Sequence, residues 1–251
     1  MKHWKQYIPS NWKRQLKLWL RAWRDRRTGQ ARLLMRPSLA GQKLGASLPA
    51  RFSLRQPIRQ NAFSENKKHN LRLAIATLQN QVVQPGEIFS FWELVGPPTE
   101  KRGYQAGRAI QGGSLSAEVG GGLCQLAGIL HYLALQAGWE IVERFPHSLD
   151  LYTEESRYAP LGADAAVAYG YKDLRLRNPH DSPGCFRLEV LPDALVATYC
   201  GEFPQQVFPV EFVMEAKENG KKVRTRRMAS PEQWEEVGQS FYGNYQGKGL
   251  N

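Results

Sequence analysis

Two stretches of this chain place apolar residues at the helical period, and most of the sequence beyond the second places them at the period of a strand. Leu71, Ile75, Leu78 and Val82 form the first stripe, in a helix that begins near Asn66 and is stopped by Pro85-Gly86. Leu126, Ile129, Leu130 and Leu133 form the second, in a helix from about Cys124 to Gln136 that Gly138 ends. Between them, 87–92 and 104–110 read as short strands, and 112–122 as a glycine-rich segment without regular structure. Strand patterns then fill 139–145, 165–176, 186–191, 195–199 and 207–214. Helices first and strands after define an α+β fold rather than a βαβ array. The expected architecture is a single domain with two main helices packed on a mostly antiparallel sheet, preceded by a basic amphipathic helical arm. With 251 residues, 42% hydrophobic and 11% aromatic, the chain can bury a sizeable core, which excludes disorder as its dominant state.

The formal net charge of +11 is concentrated at one end. Residues 1–40 hold 11 Lys and Arg against one acid, Asp25, while the other 211 residues carry 23 basic and 22 acidic side chains. In that basic segment Trp12, Leu16, Trp19, Leu20 and Trp23 follow one helical stripe, with Lys13, Arg14, Lys17, Arg21 and Arg24 between them. Trp4 adds a fourth tryptophan to the first 23 residues, of seven in all. Such a helix suits an anionic membrane surface, with Trp12, Trp19 and Trp23 as its contacts. The competing expectation is that Trp and Leu dock on the protein's own core and the cations are merely solvated. Nucleic acid is the least favoured partner, because a nucleic-acid enzyme spreads positive charge over its working face.

No window approaches roughly 18 uncharged apolar residues, and no continuous apolar run comes after the basic start, so neither a spanning helix nor a signal peptide is expected. The expected location is therefore cytoplasmic, or peripheral on the inner membrane face. The chain divides into the arm (1–40), a connector (41–60), the main domain (61–216) and a polar, glycine-ending tail (217–251) expected to be loose.

Of the three cysteines, Cys185 and Cys200 fall on successive strands, and a two-residue loop at Pro192-Asp193 sets them opposite each other. An odd count argues against a disulfide framework; a buried pair of thiols and a disulfide both remain open. No C-x-x-C or H-x-x-x-H spacing occurs, so neither metal nor any other cofactor is expected.

Cys124 comes directly after Gly120-Gly121-Gly122-Leu123 and opens the second helix. A thiol there sits at the positive end of the helix dipole beside unpartnered N–H groups, which favours thiolate. The glycines let backbone approach a substrate, and their N–H groups are candidates for an oxyanion hole. A tight turn with no chemical role would use the same residues. A thiolate enzyme needs a base. His3 lies in the arm, His69 and His180 sit in polar surroundings, and His131 is roughly 10 Å along the helix from Cys124. A strand returning from the helix end brings His147 back over roughly 23 Å, about the helix's own length, which makes it the best base by elimination. Asp150, Asp164 and Asp173 are the candidates to orient its ring.

Around this segment the chain resembles the VanW family. The resemblance rests on Pro85-Gly86-Glu87-Ile88-Phe89-Ser90-Phe91-Trp92, Leu94-Val95-Gly96-Pro97-Pro98-Thr99 and Gly103-Tyr104. It continues through Gly120-Gly121-Gly122-Leu123-Cys124-Gln125-Leu126, Glu143-Arg144-Phe145-Pro146-His147-Ser148, and Asp173-Leu174 with Asn178. Some membrane-anchored relatives resemble cysteine L,D-transpeptidases of peptidoglycan. The resemblance thus implies Cys124 as the acyl-accepting thiol and His147 as its base. Asp173 matches a position the family commonly shares and ranks ahead of Asp164. Gly120, Gly121, Gly122 and Gln125 are the residues expected to bind substrate or the oxyanion. The expected function is a cysteine acyl-transferase or peptidase-like enzyme acting on a cell-wall peptide or lipid-linked precursor. The alternative is a non-catalytic module that binds such a precursor, with Cys124 a helix-cap residue. Thiol reactivity separates the two.

Overall fold

A computed structural model of the chain describes residues 10–111, 114–150, 157, 159–230 and 232–244; His3, Trp4 and the glycine-rich end of the tail lie outside the described residues. The helices are α1 (Ser10–Arg27), α2 (Leu39–Ser47), α3 (Ser64–Leu78), α4 (Phe91–Val95) and α5 (Leu123–Gln136). The strands are β1 (Ala50–Pro57), β2 (Ile88–Ser90), β3 (Ala106–Gln111), β4 (Ser114–Val119), β5 (Glu140–Glu143) and β6 (Leu149–Asp150). They continue with β7 (Arg175–Arg177), β8 (Gly184–Val190), β9 (Ala194–Gly201), β10 (Val210–Lys217), β11 (Gly220–Ser230) and β12 (Gln233–Asn244). No helix among the described residues is long and apolar enough to cross a membrane.

The two helices expected as the main ones, α3 and α5, carry the core. Leu126, Ala127, Ile129, Leu130, Leu133 and Ala134 of α5 are wholly buried, and so are Leu71 and Ala74 of α3. They pack on an antiparallel sheet of order β1-β9-β8, which offers Leu195, Ala197 and Tyr199 from its central strand. Trp139, Phe186 and Tyr199 close the far end as an aromatic cluster, with ring centroids 5.0 to 6.3 Å apart. Across β8 and β9, Cys185 stands opposite Cys200, and both are buried thiols.

Four sequence expectations give way to other structures. Within 112–122, read as without regular structure, Ser114–Val119 is β4, paired with β3. Residues 165–174 are not strand; they cross α5 as irregular chain and turn back between Ala168 and Lys172 around Gly170, leaving only β7 extended. The connector contains β1, an edge strand registered on β9 from Ala50 to Pro57. The tail is not loose. β10, β11 and β12 form an antiparallel meander, and β12 pairs in parallel with β6. Only alternate residues of these strands turn inward (Val223 and Thr225, Ser240 and Tyr242), so composition alone reads as a polar tail.

The arm is helical as α1, and it docks in the reverse of the competing expectation that its Trp and Leu side chains pack on the core. Arg21 forms a bidentate pair with Glu143 of β5 at 2.7 and 2.8 Å. Asp25 takes two 2.8 Å bonds from Arg175 of β7, and Arg175 also reaches Asp173 at 3.2 Å. The Lys17 ammonium lies 3.9 Å above the Tyr171 ring. A Cβ at Gly170 would stand 2.8 Å from Arg14 Cγ, so the turn and the helix are in close contact. Charged groups face the body while Trp12, Leu16, Trp19, Leu20 and Trp23 remain exposed. Desolvated ions tolerate few geometries, and these pairs fix how α1 is seated. Asp25→Ala should lower unfolding stability by about 3 kcal/mol by removing the bidentate partner of a buried guanidinium, read from the urea midpoint at unchanged slope.

Candidate active site

The site begins with the glycine turn that starts α5. Gly122 caps the helix in the left-handed region at φ +102, and a Cβ there would meet Lys67 Cγ at 2.8 Å, so the position needs glycine for both reasons. Asn70 of α3, wholly buried, holds the turn in place. Its Nδ2 donates to the carbonyls of Gln105 and Gly121 at 2.9 and 3.0 Å, while its Oδ1 accepts from the Gln105 N–H at 2.8 Å. The next residue but one after Gly122 is Cys124, half-buried at the dipole's positive end.

The chain leaving β5 then carries Arg144 and His147 over this helix end. Asp164 fixes both. Its Oδ2 accepts the His147 backbone N–H at 2.8 Å and the ring Nδ1–H at 2.5 Å. Its Oδ1 accepts Arg144 Nη2 at 2.8 Å and the Tyr242 hydroxyl at 2.5 Å. With Nδ1 bound to the carboxylate, Nε2 is the ring nitrogen left for the thiol, and His147 lies near enough to Cys124 for the two to shift each other's pKa. The Asp164–Ala165 backbone lies against α5 at Gly128, one turn beyond Cys124, where a Cβ would be in ordinary contact 3.5 Å from Asp164 Cα. The Val167 carbonyl, 3.6 Å from Cys124 Sγ, accepts the S–H of the neutral thiol.

The electrostatics come from these contacts. Burial alone would raise the Cys124 pKa, but the hydrogen bond and charge of His147 outweigh it and hold the thiol below its ordinary value. Burial alone would depress His147; the hydrogen bond to Asp164, and then that to Cys124, push it up to about 10. Asp164, despite its burial, is held well below the usual carboxylate range by the His147 hydrogen bond and the Arg144 charge. The arrangement favours the thiolate form of Cys124 beside a protonated His147 that a carboxylate backs.

Other candidates are placed elsewhere. Asp173 does not touch His147: it accepts from Ser90 Oγ at 2.7 Å and the Trp92 N–H at 3.1 Å, in the ion cluster that seats α1. Asp150 pairs with Arg157 and Lys221. His131 is buried on the Ala163 carbonyl at 2.9 Å, and burial lowers its pKa to about 3. His69 and His180 bind the carbonyls of Gly103 and Ala137. The Gly120 N–H is already bonded to Gln105 O at 3.1 Å, and Gln125 points Nε2 at the Pro57 carbonyl, tying α5 to β1. The N–H groups of Gly121, Gly122 and Cys124 take no backbone acceptor among the described residues. Trp12, Trp19 and Trp23 lie on α1, outside this cluster.

Sequence reasoning missed the outer supports. Arg144 fills its remaining capacity on the Gly162 and Asp164 carbonyls at 2.9 and 2.7 Å and on Ser240 Oγ. Ser240 and Tyr242 come from β12, in the segment read as a tail. The inward alternation of Ser240 and Tyr242, with a glycine on either side at Gly238 and Gly243, was the available signal.

Residues 66–199, just over half of the chain, match the family described as VanW like protein. The uncharacterized protein YoaR of Bacillus subtilis is 35% identical over 138 residues, which are 55% of this chain and 44% of that protein. The vancomycin B-type resistance protein VanW of Enterococcus faecalis is also 35% identical, over 119 residues that are 47% of this chain and 43% of that one. In both cases the similarity spans less than half the length of the relative. No solved structure matches. The matched span holds the glycine turn, Cys124, His147 and Asp164, and stops before the β12 supports: the chain belongs to the VanW-like family.

Proposed function

We propose that this protein is a cysteine acyl-transferase, L,D-transpeptidase-like or peptidase-like, with a cell-wall peptide as its acyl donor. The observation that carries the reading is the grouping of Cys124, His147 and Asp164 at a helix N-terminus, where Asp164 takes the His147 Nδ1–H at 2.5 Å and His147 lowers the thiol's pKa. A thiol kept only as a helix cap has no use for an imidazole oriented by a buried carboxylate. The cell-wall substrate is suggested by the family and by the vancomycin resistance in one relative's name.

In the proposed reaction the Cys124 thiolate adds to a peptide carbonyl, and the Cys124 N–H donates to the resulting oxyanion. Collapse breaks the C–N bond. The His147 imidazolium gives its Nε2 proton to the departing amine, leaving an acyl thioester on Cys124 and a neutral imidazole. An acceptor amine then attacks the thioester while His147 takes its proton, and thiolate and imidazolium are restored. Water in place of the amine gives hydrolysis. Asp164 holds the ring in the required tautomer throughout, and Arg144 and Tyr242 hold Asp164.

Two measurements test this. Iodoacetamide modification of Cys124, tracked against pH by peptide mass spectrometry, should remain fast below the ordinary thiol pKa near 8.5. In His147→Ala the rate should fall about tenfold per pH unit below that value, as for an unassisted thiol. Asp164→Asn should move the profile the same way by a smaller amount; profiles identical in all three proteins reject the pair and leave a binding module. Incubation with peptidoglycan stem peptides should add an acyl mass to Cys124 that hydroxylamine removes, with no adduct in Cys124→Ala. Absence of any adduct with a demonstrably reactive thiol would redirect the substrate assignment.

A further inference from the structure

Amphipathic helices at the edge of a domain ordinarily bury their apolar stripe and leave charge in water. α1 does the opposite. At about 100° per residue, Arg14, Lys17, Leu18, Arg21 and Asp25 share the face that meets the body, and Trp12, Leu16, Trp19, Leu20 and Trp23 share the opposite one. Those five are 73%, 55%, 61%, 43% and 47% exposed. Three tryptophans and two leucines on one side of an 18-residue helix make an apolar surface that nothing else in the described structure covers. The inward face is held by a directional set of ion pairs, Arg21 with Glu143 and Asp25 with Arg175, so the outward stripe is not free to roll under and bury itself.

The flanks of the stripe show what fits it. Lys13 and Arg24 fall along one border and Arg26 along the other, while Arg27 lies at its C-terminal end with its guanidinium 4.7 Å above the Trp23 ring. The last turn carries three arginines and the first turn no acid. A second copy of this chain would bring equal positive charge against these borders, and a nucleic acid would leave the leucines without a use. An anionic lipid surface satisfies both components: indole rings settle at headgroup depth, leucines reach the acyl boundary, and the bordering cations meet lipid phosphate.

We propose that the outward face of α1 is a membrane-docking surface that lies flat in the interface of an anionic bilayer. The inward face then acts as a fixed mount. It grips the 168–172 turn, which comes just after the Val167 carbonyl facing Cys124, and it grips Glu143, which precedes Arg144. Lipid binding therefore sets one orientation of the thiol site relative to the membrane. Taken with the proposed acyl transfer, on which this last step rests, the donor is a peptide presented on a lipid-linked carrier.

The test is cosedimentation of the full chain with vesicles of phosphatidylglycerol mixed with phosphatidylcholine, against vesicles of phosphatidylcholine alone, at physiological salt. Binding is expected to the anionic vesicles, with Trp fluorescence quenched by brominated lipid. The exposed triple variant Trp12→Ala, Trp19→Ala, Trp23→Ala should lose that binding at least tenfold while keeping its circular dichroism and urea midpoint. Replacing Arg24, Arg26 and Arg27 by Gln should weaken it by about fivefold for each cation removed. Cys124→Ala should bind vesicles as the wild type does, so loss of the enzymatic reading leaves this one standing. Equal binding by the tryptophan variant overturns the proposal. So does a concentration-dependent dimer that the triple variant abolishes without any vesicle binding, or displacement of vesicles by stoichiometric nucleic acid.

Discussion

A carboxylate placed where Asp164 lies, largely out of solvent against the side of α5, would ordinarily take up a proton. It stays charged because four donors converge on its two oxygens: the ring and backbone of His147, the Arg144 guanidinium and the Tyr242 hydroxyl. That one ionised group decides much else. Its charge raises the affinity of His147 for a proton, its geometry leaves Nε2 for Cys124, and the imidazolium it sustains lowers the pKa of the thiol. It also joins three parts of the fold, because Arg144 is next after β5, Tyr242 belongs to β12, and Asp164 itself rests on the helix that begins with the thiol.

A second group of buried charges serves a different purpose. Arg175, Asp173, Glu143, Asp25 and Arg21 satisfy one another between β7, β5 and α1, with Ser90 Oγ and the Trp92 N–H completing Asp173. Such a cluster contributes little net stability compared with an apolar contact of equal size, but it permits few arrangements. Here it selects the face by which α1 attaches. Glu143 and Arg144 are adjacent in sequence, so the mount for α1 and the clamp on Asp164 share one strand end. A helix remote from the thiol is thereby registered against it.

Local signals in the sequence carried the parts of the fold whose cause is local. The stripe at Leu126, Ile129, Leu130 and Leu133 lies on α5 as the period puts it, while that at Leu71, Ile75 and Leu78 lies on α3, which ends at Leu78 and leaves Val82 beyond it. The glycine turn, the place of Cys124 at a helix start and the return of His147 depend only on helix and strand lengths. What was not legible depends on partners distant along the chain. Asp164 and Asp173 are alike in composition of their surroundings; only the crossing of 163–168 over Gly128 brings one of them to His147. β11 and β12 show two inward side chains apiece among many charged ones, so their burial is evident only once α5 and β5 lie beneath them. The stripe on α1 announced a helix, yet its docking face was set by acids and an arginine more than a hundred residues away.

The supports of the thiol come from α3 through Asn70, from the glycine turn, from the chain at 144–147, from the crossing at 162–167 and from β12. These segments are far apart in sequence and meet only when the fold is complete. An unfolded or partly assembled molecule, with β12 unpaired or the 163–168 crossing undocked, holds Cys124 as an ordinary, mostly protonated thiol. The lowered pKa of this thiol is thus a property of the native state as a whole, and it does not arise before the long-range contacts have formed.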